Sequence, residues 1–230
     1  MTIQLIKQSR MNMKTIVFFL AAALSAPQIS QAQGTMTYLS NLQQSSAGSL
    51  AVGSDSWVAA DFRTGTNTGG YLLDSVQLAM TDASGNPSGF TVMLCSATVG
   101  VGNSPGTSLG TLEGSLNPTT AGIYTYTPAS SLTLSPRTIY FIVLTAGTTL
   151  ANGANEWGYT STSSYNPSDG WWGGLAFGSN DGSSWYAPGP PFYYPQYAIA
   201  ATAVPEPGVL SLFVLSGLGF LWYRRKAKTV

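Results

Sequence analysis

The chain has no histidine and a single cysteine, Cys95, among 230 residues. Those two shortages remove whole classes of chemistry. Ser-His-Asp and Cys-His mechanisms need an imidazole base, and zinc and other transition-metal sites lose their usual ligands. One cysteine permits no intrachain disulfide, so an exported form of this chain must rest on an apolar core. Cys95 lies in the strand-like run "GFTVMLCSA", Gly89 to Ala97, and is expected to be a buried, inert thiol.

Charge is scarce as well, at 8% of residues, and its net value of zero hides a segregation along the chain. Lys7, Arg10 and Lys14 precede the first apolar run, and Arg224, Arg225, Lys226 and Lys228 follow the last. The middle holds only Arg63 and Arg137 as cations. Against them stand Asp55, Asp61, Asp74, Asp82, Glu113, Glu156, Asp169 and Asp181, a net of about −6. Such a segment has no basic face of the kind nucleic acid requires, so no nucleic-acid partner is expected.

Also missing between residues 35 and 203 is any stretch of helical period, which disfavours an α/β enzyme fold. What stands there is a series of short apolar-rich stretches separated by turn signals. Strands are expected at 36–40, 56–63, 71–80, 90–96, 122–127, 138–145, 156–160, 172–177 and 197–202. Between them lie "TNTGG", "ASGNPSG", "GNSPG", "NPTTAG", "NPSDG" and "SNDGS". This spacing predicts an all-β fold, an antiparallel β-sandwich or jelly roll, over 33–203. Ile139 to Leu144 is apolar on both parities, as in a strand covered on both faces. Tyr124 and Tyr126 instead alternate with Thr125 and Thr127, as in a strand with one wet face.

The two ends read as targeting segments. Residues 1–32 combine basic residues, the apolar run "TIVFFLAAAL" and small residues at "SQA", the layout of a signal peptide cut by signal peptidase after Ala32. At the other end, 208–223 is a charge-free run of about 24 Å as a helix, short for a hydrocarbon core of roughly 30 Å. Flanked by Trp222, Tyr223 and the basic residues, it can insert as a single transmembrane helix with its basic end cytoplasmic. Pro205 and Pro207 keep that helix from extending backwards.

Val204, Pro205, Glu206 and Pro207, then the apolar run, then Arg224, Arg225, Lys226 and Lys228, resemble the PEP-CTERM sorting signal. That tail is also labelled the ice-binding protein C-terminal domain, a label that implies no affinity for ice. The resemblance spans 204–228 and implies export by a Gram-negative-type bacterium that makes exopolysaccharide. It also implies an exosortase-type processing enzyme as partner. Pro205, Glu206 and Pro207 would be the recognition motif, 208–223 a transient membrane segment, and the basic residues its stop. The middle, from "GSLAVGSDSWVAADFRTGTNTGGYLLDSVQLAM" to "DGSSW", resembles the choice-of-anchor R domains, exported β domains carried with interchangeable anchors.

Three readings of the middle follow. The first is a non-enzymatic protein of the cell surface or exopolysaccharide matrix. The second is a carbohydrate-binding module. Trp171, Trp172, Trp185 and Tyr186, with Phe192, Tyr193 and Tyr194, either plug the core or present rings to an extracellular polysaccharide, and the first four are its candidate contacts. The third is a carboxylate glycosidase, for which Glu113 and Glu156 are the only glutamates in the domain. No cofactor is expected. "NPSDG" and "SNDGS" offer oxygen ligands that suit Ca2+, although turn geometry is a sufficient reason for both.

Overall fold

A computed structural model describes residues 34–98, 103–187 and 190–205. The signal peptide expected at 1–32, with Ala32, lies outside the described residues. So do Glu206, Pro207, the run 208–223, and Arg224, Arg225, Lys226 and Lys228. Among the described residues no helix is long and apolar enough to cross a membrane.

Thirteen strands carry the described fold, and each can be read from its side chains. They are β1 (Met36–Ser40), β2 (Gly48–Val52), β3 (Trp57–Arg63), β4 (Tyr71–Gly85), β5 (Thr91–Ala97), β6 (Pro105–Glu113) and β7 (Gly122–Pro128). There follow β8 (Thr133–Leu134), β9 (Ile139–Thr145), β10 (Gly153–Thr160), β11 (Trp172–Ser179), β12 (Tyr194–Pro195) and β13 (Tyr197–Ala203). The fold is therefore all-β, and its one 3-10 turn among the described residues is Leu150–Asn152.

All pairings are antiparallel, in the order β1-β13-β4-β7-β6-β5-β9-β3-β11, so the sheet is closed nearly into a barrel. β6 and β7 hold the two halves of this path together through only two residue pairs, Leu112 with Pro128 and Glu113 with Thr127. Side chains from both halves meet in one core. Phe62, Tyr140, Ile142 and Leu144 come from β3 and β9, and Tyr71, Leu73, Val76, Leu78, Tyr197 and Ile199 come from β4 and β13. Each such side chain, fully buried, contributes about 1.5–3 kcal/mol.

β9 shows how the pattern works. Its sequence IYFIVLT is β-branched and aromatic almost throughout, which suits a pleated surface packed on both sides. Tyr140, Ile142 and Leu144 enter the main core, while Phe141 and Val143 face a second apolar cluster on the opposite face. The covered strand expected there is present. In β7, Tyr126 is buried while Thr125 and Thr127 are exposed, as the alternation predicted.

The nine expected strands all form, and the departures have local causes. β4 runs through Ala83, Ser84 and Gly85, expected as a turn, because Ser84 and Gly85 pair with Ala154 and Gly153 of β10. β6 begins at Pro105, inside the expected turn "GNSPG". Its Gly106, Gly110 and mostly exposed polar residues carry no strand signal of their own, and it forms because β5 pairs with it through two register shifts. β2 is a short Gly-Ser-rich strand that pairs with β10.

Candidate functional site

The exit of the tail is built by the loop between β3 and β4. Gly70 adopts a positive φ of 78°, a conformation glycine takes without steric cost, and this turns the loop so that its carbonyl meets Val204, the residue after β13. Val204 is then held by both of its backbone groups. Its N–H donates to Gly70 O at 3.0 Å, and its carbonyl accepts from Asn67 Nδ2 at 3.0 Å. Pro205, the next residue, is exposed. β1 pairs with β13, with Met36 opposite Ala201, so the chain's first described strand starts where the last one ends. An open groove of about 600 Å³ lies there, lined by Gly34, Met36, Tyr38, Asn67, Asp169 and Ala203 among others.

Behind this exit stands an aromatic stack that fixes the loop 166–171. Trp171 is only 2% exposed. Its ring stacks on Tyr38 with centroids at 5.1 Å and on Phe62 at 5.9 Å, and meets Tyr71 edge-on at 5.0 Å. The Tyr71 hydroxyl donates to Asp169 Oδ2, and Thr66 Oγ1 donates to Asp169 Oδ1 at 3.0 Å. Burial, with the neighbouring Asp169 carboxylate, pushes the Tyr71 phenol up to about 12. Trp171 therefore belongs to the core, and its expected place among the sugar-contacting rings is corrected: no ring face is left for a ligand.

The other candidate rings do not form one platform with it. Trp172 is 52% exposed and opposite Arg63 at the exit end, whereas Tyr186 is 57% exposed and bridges Gly178 at the other end of β11. At about 3.3 Å per residue, Trp172 and Gly178 are roughly 20 Å apart along the strand. Trp185 is half-buried and joins a cluster the sequence reading missed: Trp57, Phe177, Met93 and Ile139 around Ala59, Cys95, Phe141 and Val143. The Trp57 ring rests against Gly182 of the "SNDGS" loop, and Phe177 meets Phe141 edge-on at 5.3 Å. Strand parity was the signal for this face, since Trp57 and Ala59, the register partner of Phe177, share one side of β3. Burial raises the Cys95 thiol to about 11, in keeping with an inert role.

The carboxylates serve chiefly as acceptors within the fold. Asp181 Oδ1 accepts from Ser184 N at 2.7 Å, Ser183 N at 2.8 Å and Ser179 Oγ at 3.0 Å, and these bonds hold its carboxyl well below the usual range. Asp82 accepts from Ala121 N, Asp55 from Leu150 N and Asp74 from Thr202 Oγ1. Among the described residues no group of three or more His, Cys, Asp or Glu is placed to hold a metal ion. Glu113 and Glu156 are not brought together. Glu156 pairs with Thr81 of β4, and Glu113 with Thr127 of β7 beyond it, three ladders across and several residues along, on the order of 20 Å. Paired glycosidase carboxylates stand about 5–9.5 Å apart.

Asp61 differs from the rest. It is 8% exposed and lies beside the bulge of β11 between Gly173 and Ala176, where no protein group among the described residues donates to its Oδ1. Burial pushes its carboxyl up to about 6, partly offset by the N–H of Leu175.

No family model matches the chain, no curated protein matches it, and no solved structure does.

Proposed function

We propose that the chain is a non-enzymatic exported protein of the cell surface or exopolysaccharide matrix of a Gram-negative-type bacterium. Its β domain is the cargo and its tail the address. The observation that carries this reading is the position of Pro205. It is the first residue past a Val204 held at both N–H and C=O, and it opens the Pro-Glu-Pro motif directly ahead of the apolar run. Pro205 and Pro207 disfavour helix, so a processing enzyme of the exosortase type would meet extended backbone next to a rigid body. The resemblance of 204–228 to the PEP-CTERM signal supports the same reading. In it, signal peptidase cuts after Ala32 and 208–223 anchors the chain until processing. The nearly closed sheet is read as a two-layer sandwich, β1-β13-β4-β7 facing β6-β5-β9-β3-β11 across the main core. The test is the mass of the mature surface protein. Loss of everything beyond the Pro-Glu-Pro region is expected, and an intact C-terminal Val230 would overturn the reading.

A second reading, carbohydrate binding, is favoured by the outer face of β3, β9 and β11. Half-buried Trp57, Phe177 and Trp185 there offer apolar ring surface, with Asn180 and Ser183 exposed nearby. A pull-down on purified exopolysaccharide tests it: binding unchanged in Trp57→Ala and Trp185→Ala would sink the idea.

A further inference from the structure

The cations of the described domain are gathered at one of its two ends. Arg63 and Arg137 are the domain's only described cations, and both stand at the exit end. Arg63 closes β3, Arg63 Nε donates to Arg137 O at 3.2 Å, and Arg137 N donates to Gly65 O in the loop whose Gly70 clamps Val204. Carboxylates share this end as well: Asp169 accepts from Thr66 and Tyr71, Asp74 from Thr202, and the buried Asp61 lies two residues from Arg63 on β3. The far end collects Asp55, Asp82, Glu156 and Asp181 with no described cation, while Glu113, paired with Thr127, stands level with the Asp74 side of β4. The exit end also presents two large apolar side chains to solvent, Trp172 at 52% and Met36 at 47%.

The length of chain beyond the clamp limits where this end can be. From Val204 to Gly208 there are four residue steps, at most about 14 Å of extended chain. The headgroup layer on one side of a bilayer is itself roughly 5–7 Å deep. A membrane segment starting at Gly208, as the sorting-signal reading has it, would therefore keep the exit loops within about 7–9 Å of that layer, close enough to dock on it. Trp suits the membrane interface because its ring is apolar and its N–H is polar, while Arg is drawn to anionic headgroups.

Resting on the sorting-signal reading above, we propose that the exit end is a membrane-docking surface: while the tail is inserted, it lies against anionic phospholipid. Trp172 and Met36 sit in the headgroup layer and Arg63 and Arg137 face the phosphates. The domain is thus held upright, its acidic end outward, and Pro205 is kept at the bilayer surface where a membrane-embedded enzyme works.

The test uses the full chain on a Cys95→Ser background, reconstituted in vesicles of phosphatidylethanolamine and phosphatidylglycerol. One environment-sensitive fluorophore is attached in turn through Trp172→Cys, Met36→Cys, Asn86→Cys or Ser216→Cys, Asn86 being exposed just past the far end of β4, and quenching by bromine-labelled lipid is read. Docking predicts several-fold stronger quenching at 172 and 36 than at 86, with 216 quenched as well. Exchanging phosphatidylglycerol for phosphatidylcholine, or introducing Arg63→Gln with Arg137→Gln, should reduce quenching at 172 and 36 but leave 216 unchanged. Quenching at 216 with 172 and 36 no different from 86 overturns the docking and leaves the tail reading standing. Absence of quenching at 216 overturns the tail reading and the docking with it.

Discussion

The side-chain amide of Asn67 donates to Val204 O at 3.0 Å and to Gly70 O at 2.6 Å, so one residue ties the loop after β3 to the last residue before Pro205. A neutral hydrogen bond contributes about 0.5–1.5 kcal/mol net, and about 1.4 kcal/mol is a tenfold change in an opening equilibrium. Asn67→Ala should therefore lower the hydrogen-exchange protection of the Val204 amide by about tenfold and leave the amides of β9 unchanged. Wild-type protection at Val204 in that variant would remove Asn67 from the clamp.

Gly174 packs directly on the carboxylate of Asp61, so closely that a Cβ at 174 would overlap it. The contact arises because the β11 bulge pushes its backbone toward β3. Gly174→Ala should destabilise the protein by about 1–3 kcal/mol, the usual cost of overpacking. Urea denaturation is the measurement, and the Asp61→Ala, Gly174→Ala double variant should recover part of the loss. Purely additive effects would show that the two residues do not oppose each other.

The buried Asp61 carboxyl also sets a pH dependence. Its folded value of about 6 lies above its ordinary 3.8, so the folded state holds the proton more tightly than the unfolded state. Its contribution is fully present below pH 4, falls as pH rises from about 4 to 6, and is absent above that. The total change is on the order of 3 kcal/mol. Melting temperatures of wild type and Asp61→Asn across this range should differ in slope: wild type loses stability toward neutral pH relative to the variant. Parallel curves would show that the carboxyl is already ionised or not buried.

How much of this was legible in the sequence depended on whether each residue's own pattern decided its place. Ile139 to Leu144 declared a two-sided strand, and Tyr126 a one-sided one, because side-chain parity is a local property. β6 was hidden because Pro105, Gly106 and Gly110 signal a turn, and only pairing with β5 makes them a strand. Trp171 and Trp172 were equivalent as letters. Trp171 precedes β11 and Trp172 opens it, and only the fold says which of the two rings meets Tyr38 and Phe62. The half-buried face of Trp57, Phe177 and Trp185 draws on segments about 120 residues apart, so no window of sequence contained it.

That division between adjacent tryptophans makes a sharp prediction. Trp171 fills the space between Tyr38, Phe62 and Tyr71, so Trp171→Ala leaves a cavity in the core and should cost about 3–5 kcal/mol. Trp172 projects from the same backbone into solvent, so Trp172→Ala should change stability by no more than about 0.5 kcal/mol. Thermal unfolding of the two variants side by side measures the difference. A loss of exit-end protection should accompany Trp171→Ala alone, since its stack carries Tyr71 and, through Asp169, the loop beside the Val204 clamp. Equal costs for the two substitutions would mean that the stack does not support the exit, and that Trp172 has packing of its own.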